Sequence, residues 1–216
     1  AVVVSDLVFS MDGDRAPLAE LSRLCHANDA WLLVDDANGI GITGPDGAGC
    51  VADEGLGQEE VPMLVGTLGK SFGCSGAFIA GSEALIEHIV NEGRTYLFTT
   101  ALSPAIAAAA SAALKIIREE PWRRERLNEL ITYFREGAQS RGVPVLDSDT
   151  AIQPLMIGDA KKAMAVSEAL REKGLLITAI RPPTVPVNTS RLRITLSAAH
   201  EKAQLRQLLE ELEACL

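Results

Sequence analysis

Short apolar runs alternating with amphipathic stretches govern what the first half of this chain can fold into. Val2–Val4, Trp31–Asp35, Met63–Thr67 and Ala77–Ala80 have the length and composition of strands. Between them, Pro17 to about Asn28 places Leu18, Leu21, Leu24 and Cys25 on one helical face, and roughly Ser82–Asn91 forms a second helix. Pro17 suits a first helical turn, where a missing N–H costs no bond. This alternation predicts an α/β architecture with a mostly parallel sheet. Val2–Val4 reads as a buried strand of that sheet. A strand as the opening element, with no Met before it, suggests a piece of a longer protein.

The second half changes character. Pro104–Glu119 predicts an Ala-rich helix, buried rather than membrane-spanning because Ser103, Pro104 and Ser111 break the apolar stretch from Ala101 to Ile117. Glu120-Pro121 interrupts it, and the domain change is expected there, dividing the chain into 1–120 and 121–216. From Trp122 a helix carries Leu127, Leu130, Ile131 and Phe134 on one face. There follow a strand (Ile152–Ile157), a helix (Ala160–Lys173), strands near Leu175–Ala179 and Leu192–Leu196, and a last helix with Leu205, Leu208, Leu209 and Leu212. That pattern reads as a small α+β domain.

Composition narrows the function classes. A net charge of −9 disfavours nucleic acid as a partner, since phosphate binding needs a basic face. Cys25, Cys50, Cys74 and Cys215 show no metal or disulfide spacing, which favours a reducing, cytoplasmic setting. His26, His88 and His200 form no metal-ligand pattern either, and no stretch predicts a membrane span.

The chemistry gathers where strands end, the place at which open α/β sheets bind ligands. Asp35 closes an apolar strand and opens a loop containing Gly39, Gly41, Gly44, Gly47 and Gly49. Asp35 and Asp36 could be turn formers or helix caps. A buried carboxylate facing a cation is the other reading. Lys70 lies in Val65-Gly66-Thr67-Leu68-Gly69-Lys70-Ser71-Phe72-Gly73, where Gly69 and Gly73 permit tight backbone and Thr67 and Ser71 could donate to a phosphate. An amine and a carboxylate so placed suit pyridoxal phosphate, whose aldehyde needs the first and whose ring nitrogen needs the second.

Three further segments stand out. In Phe9-Ser10-Met11-Asp12-Gly13-Asp14, Asp12-Gly13 reads as a turn, and the Ser10 hydroxyl falls near a strand end. In Ser190-Arg191-Leu192-Arg193-Ile194, alternation sends both arginines to one face. They would serve a solvated edge strand or clamp a carboxylate in a bidentate fork. His200 reads as structural, with Ser197 the cap of the last helix.

Val8–Asp14, Val34-Asp35-Asp36-Ala37, Gly69-Lys70-Ser71-Phe72-Gly73, and Arg191-Leu192-Arg193 with Ser197-Ala198-Ala199-His200 together resemble the α-oxoamine synthase family of pyridoxal-phosphate enzymes. The resemblance implies the aspartate-aminotransferase-like fold, PLP fold type I, with this chain holding part of the large domain and the small C-terminal domain. It also implies a role for each matching residue. Lys70 would be the Schiff-base lysine, Asp35 the partner of the ring nitrogen, and Ala37 a packing group against the ring. Ser10 and Thr67 would reach the cofactor, Thr99 and Thr100 the phosphate of a neighbouring subunit in a homodimer, and Arg193 the substrate carboxylate. Asn38 stands where the family has a His that bonds the cofactor's phenolic oxygen. An amide can donate that bond but cannot act as acid or base, so slower turnover with retained cofactor binding is expected.

Ala179–Pro186 and Ala151–Leu155 resemble one member of the family, which joins L-alanine to a pimeloyl thioester (on CoA or a carrier protein) in biotin synthesis. A sibling condensing glycine with another acyl-CoA is the alternative within the enzymes. A non-catalytic subunit of the same fold, or a truncated remnant acting only in oligomer assembly, is the alternative outside them, motivated by Asn38 and by the absence of the family's N-terminal part from this sequence.

Overall fold

In the computed structural model, which describes residues 1–216, β1 (Val2–Asp6) lies parallel to the strand that follows α1 (Leu18–Ala27). That strand, β2 (Trp31–Asp35), leads through a glycine-rich turn into the short α2 (Cys50–Asp53) and then β3 (Met63–Thr67), again parallel. β4 (Ala77–Gly81) turns back and pairs with β3 antiparallel, giving the order β1-β2-β3-β4. The three parallel strands meet the expected pattern, and β4 is the exception. α3 (Glu83–Glu92), α4 (Arg94–Leu97) and α5 (Pro104–Glu119) complete this part of the chain.

Beyond Pro121 come α6 (Trp122–Ser140), β5 (Ile152–Gly158), α7 (Ala160–Glu172), β6 (Thr178–Ile180), β7 (Ser190–Thr195) and α8 (Lys202–Cys215). The three strands form an antiparallel sheet in the order β5-β7-β6. Contacts divide the chain into two units, Ala1–Val8 with Arg15–Pro121, and Phe9–Asp14 with Trp122–Leu216. No helix is long and apolar enough to cross a membrane.

Each unit has its own core. Leu7, Leu18, Leu32 and Val34 are buried in the first. In the second, Leu130, Phe134, Leu155, Leu170, Leu192, Leu209 and Leu212 are fully buried. Leu192 and Ile194 occupy the inward face of β7, as alternation along a strand requires.

Several sequence expectations change on contact with this packing. Val2 and Val4 are 56% and 67% exposed, as is Trp31 (55%), which pairs with Val2 on the inner strand β2, so one face of this end of the sheet is uncovered. Leu24 is 45% exposed, whereas Ser22 is buried and donates to the Glu60 carbonyl at 2.8 Å. α5 buries no residue, and its Ile117 lies against Gly47 in the 3-10 turn Pro45–Gly47. Its small side chains reflect helix propensity rather than burial. The strand expected from Leu175 begins only at Thr178, since the Leu175 N–H still bonds the Leu170 carbonyl at the end of α7 and the Ile177 carbonyl accepts from Ser167. Ser197 does not cap α8. Glu201 does, through a capping box with Gln204. His200 is structural as expected, its Nδ1 accepting the Ser197 N–H at 3.1 Å.

One local device in each unit holds its loops in place. In the first unit, Asp36 is fully buried. Its N–H bonds the Val65 carbonyl, its own carbonyl accepts from Gly39 and Ile40, and its Oδ2 accepts the Cys50 N–H at 2.7 Å. A Cβ on Gly39 or on Gly49 (φ +99°) would overlap the Asp36 carboxyl, so the turn closes around it. Oδ1 has no hydrogen-bond partner. Burial pushes the Asp36 pKa up, against the lowering bonds from Cys50 and with a further push from Asp35. The Cys50 thiol rises to about 12 through burial and the nearby Asp36 charge, which leaves it inert.

In the second unit, the Gly13 carbonyl accepts from Ser148 Oγ at 2.9 Å and Thr150 Oγ1 at 3.2 Å. The fully buried Gln153 fixes that loop by donating to the Ser148 and Thr150 carbonyls. Asp12 is more than a turn residue, because it forms an ion pair with the nearly buried Arg191.

Because the folded pKa of Asp36 lies above its ordinary 3.8, its contribution to stability is fully present below that value and is lost as pH rises through the folded pKa. Asp36→Asn keeps an acceptor for Cys50 and cannot ionise. Its stability relative to the parent should therefore climb as pH rises above 3.8, read as urea midpoints across a pH series. A constant difference would mean that Asp36 is not perturbed. Gly13→Ala, at φ +67° and with its Cβ meeting the Ile152 carbonyl and Ser148, should cost about 1–3 kcal/mol in the same assay. An unchanged midpoint would contradict the tight seating of Phe9–Asp14.

Candidate active site

β2 ends on Asp35, whose Oδ1 accepts the Ala37 N–H at 2.8 Å. The side chain thus forms the local Asx turn that short acidic residues favour, which orients its carboxylate at the carboxyl end of a parallel strand. The next residue, Asp36, points its side chain into the core. Of the two consecutive carboxyls, Asp36 is therefore buried and Asp35 is left half-buried at the strand end.

Two residues further on, Asn38 makes two bonds of different kind. Its Nδ2 donates to the Val8 carbonyl at 2.9 Å, and its Oδ1 accepts from Lys70 Nζ at 2.7 Å. Lys70 is an exposed residue in the turn between β3 and β4. That turn is tied internally: Leu68 bonds Gly76, Cys74 bonds Leu68, and Gly73 (φ +62°) donates to the Lys70 carbonyl. Thr67 Oγ1 donates to the Gly76 carbonyl and accepts the Gly69 N–H, both at 3.2 Å, so its hydroxyl organises the lysine turn. Ser71 Oγ donates to the Ile40 carbonyl at 2.6 Å and clips the lysine turn to the glycine-rich turn.

Asp35, Ala37, Asn38, Thr67 and Lys70 all fall within the first unit, and the structure joins Asn38 to Lys70 directly. Thr99 and Thr100 lie between α4 and α5 in an exposed stretch with Tyr96, Phe98 and Leu102, and the Thr99 hydroxyl bonds the Thr95 carbonyl. Ser10 and Arg193 belong to the second unit. Arg193 is not on an edge strand, for β7 is the central strand of its sheet. Of the two arginines on that strand, Arg191 is paired with Asp12, while the buried Nε of Arg193 has no hydrogen-bond partner.

These groups fit pyridoxal phosphate by their chemistry. Lys70 is a primary amine, Asp35 a carboxylate, and Asn38 and Thr67 add neutral polar groups beyond the strand ends. The unsatisfied donor of Arg193 suits a carboxylate. Two participants escaped sequence reasoning. The Val8 carbonyl carries no side-chain signal, and the burial of Asp36 follows from the folding of Gly39 and Gly49 around it.

The family model for class I and II aminotransferases matches residues 1–212. Among curated proteins, the chain is 59% identical over 212 residues to the 8-amino-7-oxononanoate synthase of Hahella chejuensis, and 57% identical to that of Thioalkalivibrio sulfidiphilus. Each match takes in 98% of this chain and 54% of the relative, so the chain spans about half the length of the curated relatives it matches. Among solved structures, a serine palmitoyltransferase from S. paucimobilis with bound PLP–myriocin superposes with a TM-score of 0.93 at 31% identity, over 99% of this chain and 54% of the other. The 8-amino-7-oxononanoate synthase of Francisella tularensis gives 0.85 at 28% identity, over 98% and 61%. The expected PLP fold type I is therefore the fold observed, and the chain belongs to the class I and II aminotransferase family.

Proposed function

We propose that this chain works as a pyridoxal-phosphate-dependent acyltransferase of the 8-amino-7-oxononanoate synthase kind, joining L-alanine to a pimeloyl thioester with loss of carbon dioxide and release of the carrier thiol. The observation that carries the reading is the Lys70 amine, held at 2.7 Å by Asn38 in the turn that follows Asp35. Identity to curated synthases of that name, 54–59% over nearly the whole chain, supports this member of the family.

Bound pyridoxal phosphate would supply an electron sink for carbanion chemistry. The rest falls to this chain's residues. Lys70 would offer its amine to the cofactor aldehyde and, as a free amine, would take the Cα proton of the amino acid as general base. Asp35 presents a carboxylate to the cationic ring nitrogen, which favours the protonated ring. Ala37 offers a small apolar surface for packing, and Ser10 and Thr67 offer hydroxyls. Asn38 supplies neutral hydrogen bonding and cannot move a proton at neutral pH. Arg193, whose buried Nε has no hydrogen-bond partner, would clamp the substrate carboxylate.

A homodimer with a shared site belongs to the same proposal. The exposure of Tyr96 (63%) and Phe98 (79%) beside Thr99 and Thr100 supports it, because apolar side chains so displayed favour an interface. Catalysis is placed in the cytoplasm on the scatter of the four cysteines.

The test is a synthase assay with pimeloyl-CoA and, in parallel, L-alanine, glycine or L-serine. Alanine should be the preferred partner, and Lys70→Ala should reduce turnover by at least about 100-fold. A preference for glycine or serine would move the chain to a sibling activity. Cofactor binding without turnover of any pair would support the non-catalytic reading.

A further inference from the structure

The Asn38 amide meets two partners that fix its orientation. A lysine ammonium or amine offers protons, and a backbone carbonyl can only accept one. With Oδ1 on Lys70 Nζ at 2.7 Å and Nδ2 on the Val8 carbonyl at 2.9 Å, a flipped amide would lose the Val8 bond and set NH2 against the lysine's protons. The brace is firm at both ends. Val8 is 2% exposed and bridged to Arg15, and Asn38 sits in the turn that Asp36 pins through β3, Gly39, Ile40 and Cys50. The flexible member of the assembly is the long Lys70 side chain.

We propose that Asn38 is the positioning residue for the Lys70 amine, tethering Nζ to the Val8 carbonyl through an uncharged bridge. The functional meaning rests on Lys70 being the reactive amine, whereas the tether itself does not. Few side chains could replace it. A carboxylate at position 38 would accept from Lys70 but has no proton for the Val8 carbonyl, and its charge would hold the ammonium form. Leucine offers neither bond. A neutral imidazole could make both, but once protonated it can only donate. An amide holds the amine in one place without adding a formal charge beside it.

The tether is tested on the full chain without cofactor. Limited acetylation with acetic anhydride at one fixed pH, read by mass spectrometry, gives the rate at Lys70 relative to Lys115, Lys173 and Lys202. Acetylation consumes the neutral amine, and an acceptor on Nζ favours the charged form. Asn38→Leu should therefore raise the relative rate by about threefold and Asn38→Asp should lower it by about threefold, the scale of one modest exposed hydrogen bond. General loosening of the turn would speed Lys70 in both variants, so opposite shifts mark the tether. Both variants reacting at the parent rate, or both faster, with circular dichroism showing an intact fold, would overturn the proposal. Should Asn38→Leu fail to fold, Asn38→Ala, which also offers neither bond, takes its place beside Asn38→Asp, and the same opposite shifts are required. Opposite shifts in a chain that never captures pyridoxal phosphate would keep the tether and sink the proposed function.

Discussion

A carboxyl group taken wholly out of water must be held by fixed donors or give up its charge, and Asp36 is held on one oxygen only. Much of the first unit's chemistry depends on that arrangement. The backbone of Asp36 locks the end of β2 to β3, and its side chain pulls the start of α2 back against the turn. Between those anchors lie Ala37 and Asn38. The turn can be this tight only because Gly39 and Gly49 leave room for the carboxyl. Burial raises the Asp36 pKa, and the turn built on it carries the Asn38 amide that Lys70 bonds.

Parts of this were legible in the sequence. The parallel strands, the Asp35 strand end and the Gly-flanked Lys70 follow from periodicity and turn chemistry, which are local properties. What depended on distant partners was not. Nothing near Asn38 announces the carbonyl of Val8, thirty residues earlier in the chain. Val2, Val4 and Leu24 have core-like side chains, but pairing and neighbour placement decided their exposure. The Ala-rich α5 looked buried because alanine serves helix propensity and burial alike. Likewise the Ala151–Leu155 segment, which helped to suggest the family member, contains a buried Gln153 that organises the loop holding Gly13.

The second unit shows how one sequence pattern can divide its labour. Arg191 and Arg193 alternate identically along β7, yet only the first has an acidic partner, on the Phe9–Asp14 segment. A buried guanidinium with a matched carboxylate is structural, and breaking such a pair is costly. The neighbouring Arg193 keeps an unsatisfied buried donor. That asymmetry, invisible in the sequence, supports the carboxylate-binding role proposed for Arg193.

Lys70 is the one amine that the proposed chemistry requires to meet an aldehyde cofactor. The direct measurement is to incubate the chain with pyridoxal phosphate, reduce with borohydride, and map the adduct by mass spectrometry in the parent and in Lys70→Ala. A dominant pyridoxyl adduct on Lys70 is expected, which the substitution abolishes without creating another. Adducts spread evenly over Lys115, Lys161, Lys173 and Lys202, and unaffected by loss of Lys70, would contradict it.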